Sequence, residues 1–132
     1  MTKPLRIQFI VADSAHARWV KRAEDANDFI TVHELKAHPL KAHAHGAGGH
    51  DNAHIDQEHA AFARQVADSI NDEARADHDD RFAVVAPART LAAISEHLSA
   101  GARARVVRTL AKDLSKTPDH ALGDWLRPLE LG

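Results

Sequence analysis

The stretch Asp56–Pro87, DQEHAAFARQVADSINDEARADHDDRFAVVAP, changes its hydrophobic period once, and that change decides the fold. Phe62, Val66 and Ile70 recur every four residues beside Ala63, Ala67 and Ala74, which makes one face of a long helix apolar. Asp56 and Glu58 favour its start, because negative charge suits the positive end of a helix dipole, and the pattern runs to about Asp77. Arg81-Phe82-Ala83-Val84-Val85-Ala86 is then continuously apolar after its first residue, the signature of a central strand buried on both faces, and Pro87 ends it. A strand that follows such a helix returns parallel to the sheet by a right-handed crossover.

Working outward, Leu5–Ala12 alternates and then becomes continuously apolar, a first strand closed by turn chemistry at Asp13-Ser14-Ala15-His16. Arg18–Ala23 and Phe29–Leu35 are two further strands separated by the polar turn Glu24–Asp28, so the first three form an antiparallel meander. On the other side, Leu91, Ile94 and Leu98 mark a second helix, with Thr90 as its N-cap and Gly101 just past its end. Arg105–Leu110 reads as a fifth strand. Thr117-Pro118-Asp119 opens a last helix whose apolar face is Leu122, Trp125 and Leu126. The expected order is βββαβαβα: a single α/β domain over residues 1–132 with a five-stranded mixed sheet, similar in outline to ribonuclease H. Residues 36–54 form a loop carrying Pro39, Gly46, Gly48 and Gly49, and a loop that long is a feature to explain.

Composition bounds the function. The chain has 132 residues, 44% of them hydrophobic and 27% charged, which is the balance of a globular domain and not of a disordered or fibrous one. No apolar run approaches the roughly 18 to 20 residues that cross a bilayer, and no secretory signal is visible, so a cytoplasmic location and no membrane partner are expected. With no cysteine, thiolate chemistry and Cys-ligated metals are excluded. The net charge of −2 gives no global pull toward nucleic acid, and no DNA partner is expected. It hides a segregation, however: residues 51–80 carry nine acids against two bases, and residues 99–117 five bases against one acid.

Several constellations bear on chemistry. His38, His43, His45, His50, His54 and His59 cluster around the loop, with His50 and His54 one helical turn apart as candidate metal ligands; the alternative is a solvated His-rich loop. Arg103, Arg105, Arg108, Lys112 and Lys116, joined by Arg89, are candidate contacts to RNA phosphates, or else the charges that blunt an edge strand. Strand alternation sets Arg105 with Val107 and Thr109 on one face, and Arg108 with Val106 and Leu110 on the other. Asp13 and Glu58 would be two of the carboxylates a two-metal nuclease needs, but the fourth strand ends in Val85-Ala86-Pro87 without a third, and Asp13 is a turn former. Trp19 and Trp125 read as packing residues. No serine sits in a nucleophile elbow.

Three blocks, Ala86-Pro87-Ala88-Arg89-Thr90-Leu91, His97-Leu98-Ser99 and Lys112-Asp113-Leu114-Ser115-Lys116-Thr117-Pro118, resemble the bacterial host-attachment protein family, also described as release-factor-like. The likeness extends to the first hairpin, FIVADSAHARWV, and the long helix, EHAAFARQVADSI. That family is similar to the central domain of archaeal and eukaryotic peptide-release factors, where a loop ahead of the long helix carries Gly-Gly-Gln. Here the corresponding place reads Lys41-Ala42-His43-Ala44-His45-Gly46-Ala47-Gly48-Gly49-His50. Gly48 and Gly49 match the two glycines, and His50 stands where Gln would be. A His does not reproduce the amide's geometry. The resemblance therefore implies a binding module that contacts ribosome or tRNA without a cofactor. It leaves two alternatives: a degenerate peptidyl-tRNA hydrolase using Gly48, Gly49 and His50, or a protein-interaction factor required only indirectly for attachment.

Overall fold

The computed structural model describes residues 7–23, 28–37, 51–76 and 81–130, with α1 side chains described from Gln57 onward. The elements are β1 (Ile7–Ala12), β2 (His16–Arg22), β3 (Phe29–Lys36), α1 (Asp51–Ala76), β4 (Arg81–Ala86), α2 (Ala88–Glu96), α3 (Ala100–Arg105), β5 (Val106–Ala111) and α4 (Asp119–Glu130). The five strands form one sheet in the order β3-β2-β1-β4-β5. β1 pairs antiparallel with β2, and β2 with β3, while β4 lies parallel to β1 and β5 parallel to β4. This is the mixed α/β sheet that the period change at α1–β4 predicts.

The continuously apolar strands explain the layering. Successive side chains of a strand point to opposite faces, so β1 sends Ile10 and Ala12 to one core and Phe9 and Val11 to the other. The first core packs the sheet against Phe62, Val66 and Ile70 of α1, Ile94 of α2 and Ala102 of α3. The second packs the opposite face against Leu114 and against Leu122 and Leu126 of α4, with Phe9 and Phe29 meeting edge to face at 5.5 Å between ring centres. Two apolar layers therefore cover the sheet, and its exposed margins are β3 and β5.

Four details depart from the sequence expectations. Helix α1 begins at Asp51, not Asp56, so residues 51–54 of the expected loop are helical; no Gly or Pro after Gly49 breaks the run, and Asp51 brings negative charge to the helix start. Helix α2 begins at Ala88 with Pro87, not Thr90, in the N-cap position, and Leu91 N–H bonds the Pro87 carbonyl at 2.8 Å. Gly101 does not follow a helix but lies inside α3, which Ser99 caps by accepting from Ala102 N–H at 3.1 Å. Arg105 consequently ends α3, and β5 starts at Val106. Trp125, expected on the buried face of α4, is 40% exposed.

Candidate nucleic-acid interface

Because β1, β4 and β5 are parallel, their carboxyl ends lie together: Val11 pairs with Val85, and Ala86 with Ala111. β3 finishes at the same end, where Lys36 pairs with His16 and Ala37 N–H bonds the Ala15 carbonyl at 2.8 Å. In open α/β sheets this is the end at which ligands are bound. Asp13 shapes its first turn, one carboxylate oxygen accepting from Ala15 and His16 N–H at 2.7 Å each. His16 Nε2 lies 3.1 Å from Glu34 Oε1 beside it.

The predicted basic residues divide between two ends of the sheet. Arg89 is exposed in the first turn of α2, and Lys112 and Lys116 are exposed in the segment after β5; all three are at the carboxyl end. Arg103 and Arg105 lie at the opposite end, displaced by the length of β4, about 17 Å at 3.3 Å per residue. Each donates to a carbonyl near a helix end: Arg103 Nη2 to Ser95 at 2.7 Å, and Arg105 Nη1 to Ala74 at 2.9 Å. Those oxygens are the acceptors that a helix C-terminus leaves without an intrahelical partner.

Arg108 lies between the two groups on β5. The β4–β5 register shifts between Phe82 and Ala83, so Phe82 faces Val106 but Ala83 faces Arg108, with Val107 inserted. The shift places Arg108 and Leu110 on the α4 side of the sheet with Ala83 and Val85, while Val106 packs into the α1 side. Strand alternation alone sets Val106 and Arg108 together; the inserted residue separates them.

The segment 112–118 is held by a buried cation that the sequence reading missed. Arg18, 7% exposed at the middle of β2, donates through Nη2 to the carbonyls of Leu114 (2.9 Å) and Thr117 (2.6 Å). Its Nη1 reaches Asp119 Oδ1 at 3.3 Å, and the same carboxylate accepts from Thr31 N–H at 2.9 Å and Thr31 Oγ at 2.5 Å. A charge amid Ala17, Trp19 and Val20 is the sequence signal for this role, since a buried guanidinium requires acceptors. Within the segment, Asp113 Oδ1 accepts from Ser115 Oγ at 2.6 Å and Ser115 N–H at 3.0 Å. These two bonds, chiefly the hydroxyl's, together with the Lys116 charge, hold the Asp113 carboxyl below its ordinary value of 3.8 against the opposing effect of burial. Lys112 places Nζ 4.0 Å from the centre of the Trp125 ring, a cation–π contact.

Gly48, Gly49 and His50 lie outside the described residues, and His54 is described only as backbone within α1. Among the described residues no three His, Asp or Glu side chains group to hold a metal ion, and no helix is long and apolar enough to cross a membrane.

This architecture and its Arg18-anchored segment define a small mixed-sheet α/β domain with a polar carboxyl edge. A family model described as "Protein required for attachment to host cells" matches residues 8–126, and the chain belongs to that family. A search of curated proteins finds no significant match.

Proposed function

We propose that the chain is a non-catalytic binding module acting around translation, which contacts ribosomal RNA or tRNA from the carboxyl end of its sheet. The observation that carries this reading is the gathering of Arg89, Lys112 and Lys116 at the end where β3 stops and α1 begins. The segment between those two elements contains Gly48, Gly49 and His50, and its resemblance to the release-factor loop supports the same partner. Phosphate contacts of this kind supply affinity without sequence selectivity. Attachment to host cells, the property in the family description, then follows indirectly from altered protein synthesis.

The test is co-sedimentation of the untagged protein with ribosomes from a cell lysate. Wild-type protein pellets with ribosomes at low salt, and Lys112→Glu/Lys116→Glu pellets at least tenfold less while keeping its far-ultraviolet circular dichroism. Equal retention of the variant, or no retention of wild type at low salt, refutes the reading.

A further inference from the structure

Trp125 stands apart from the core that the rest of α4 builds. Leu122 and Leu126 fill the core beneath α4, whereas Trp125, on the flank of the same helix, is absent from both cores and 40% exposed. An exposed Trp leaves a large apolar ring in water. Its neighbour is a cation, Lys112, at 4.0 Å. The register shift at Val107 brings a second cation, Arg108, to the α4 side of the same edge strand, and the turn after it carries Lys116. An exposed aromatic ring beside one cation, with a second cation on the same side of the sheet, is an arrangement that takes single-stranded nucleic acid. Bases stack on the ring, and the phosphates between them lie against the positive charges. A duplex does not fit this chemistry, because its bases are already stacked on one another. Helix α4 itself keeps its apolar stripe in the core, with Leu122 and Leu126 buried.

We propose that the α4 flank of β5 is a seat for single-stranded RNA, with Trp125 stacking on an unpaired base and Arg108 and Lys112 contacting the adjoining phosphates. This rests on the reading that the chain contacts RNA, and it names the form of RNA and the residue that recognises it. It also gives Lys112 two tasks: pairing a phosphate and orienting the ring.

The experiment is a fluorescence titration of the full chain with an unstructured ten-nucleotide RNA and, in parallel, a duplex of the same length. Trp19 is 1% exposed, so quenching by added RNA reports Trp125. The single strand quenches emission saturably at low salt and the duplex does not. Trp125→Ala, followed by anisotropy of a labelled strand, weakens binding about tenfold, and Trp125→Phe weakens it less. Arg108→Gln and Lys112→Gln each weaken binding several-fold and flatten its salt dependence. Equal binding of the strand by Trp125→Ala and wild type overturns the proposal, as does equal quenching by the duplex. If Trp125→Ala still pellets with ribosomes as wild type does while wild type ignores the free strand, the stacking proposal fails and the translation reading survives. Loss of both ribosome retention and strand binding in wild type sinks the two together.

Discussion

Asp119→Ala should cost about 3 kcal/mol of folding stability, because it removes the acceptor shared by two strands and leaves a buried guanidinium without its counter-charge. The carboxylate takes three bonds: Thr31 N–H at 2.9 Å, Thr31 Oγ at 2.5 Å and Arg18 Nη1 at 3.3 Å. Hydrogen bonds to a charged group contribute roughly 1.5 to 3 kcal/mol each when buried. The Asp119 side chain is 40% exposed and the Arg18 contact is long, so the pair is discounted toward the value of a surface ion pair. Two full bonds at the low end of that range give the figure of about 3 kcal/mol. For a chain of this length, about 2.1 cal/mol/K of unfolding entropy per residue converts the loss to a drop of about 10 °C in Tm. Urea denaturation and calorimetry measure it. Amide exchange adds a local signature, since Thr31 N–H should lose protection more than its neighbours on β3. A double-mutant cycle with Arg18→Ala should show coupling of about 1 kcal/mol, as expected for partners in one network. A Tm within 2 °C of wild type, with Thr31 still protected, would refute the network as the anchor of segment 112–118.

Two further perturbations test the local chemistry. Asp113 has a lowered pKa in the folded chain, so its stabilising contribution is fully present above the unfolded value of 3.8 and is lost as pH falls through the lower folded value. Ser115→Ala removes the hydroxyl that lowers it, and the acid limb of the stability–pH curve should become shallower below about pH 4. An unchanged limb would contradict the assignment. Ser99→Ala deletes the α3 cap and should cost about 1 kcal/mol in urea denaturation; a neutral result would mean that Ser99 N–H to Asn71 Oδ1, at 2.8 Å, holds this corner without the hydroxyl.

Strands β1 and β4 were legible because their continuous apolar runs, Phe9–Ala12 and Phe82–Ala86, are too short for a helix and are bounded by turn residues or proline. Helix α3 was not, since Ala100–Arg105 has no apolar repeat of its own and its last residue merges with the β-branched run Val106-Val107. The shift at Val107 depends on hydrogen-bond register, which side-chain pattern does not record, and it alone moves Arg108 to the α4 side. Trp125 shares the three-residue spacing of a buried stripe with Leu122, yet it falls on the flank of α4, 40% exposed, while Leu122 and Leu126 take the core. In the candidate interface, residue type pointed to cations, but only the topology separates Arg89, Lys112 and Lys116 from Arg103 and Arg105. Those last two satisfy carbonyls near helix ends, a role for which the sequence offers no separate signal.

The most direct measurement of the central claim is the salt dependence of ribosome binding by the unmodified protein. Three phosphate contacts, from Arg89, Lys112 and Lys116, predict a log–log slope of affinity against salt of about −2 to −3, at about −0.7 per contact on single strands and about −0.9 on a duplex. Binding whose slope is close to zero, or no binding even at low salt, would contradict a cationic carboxyl edge that docks on RNA.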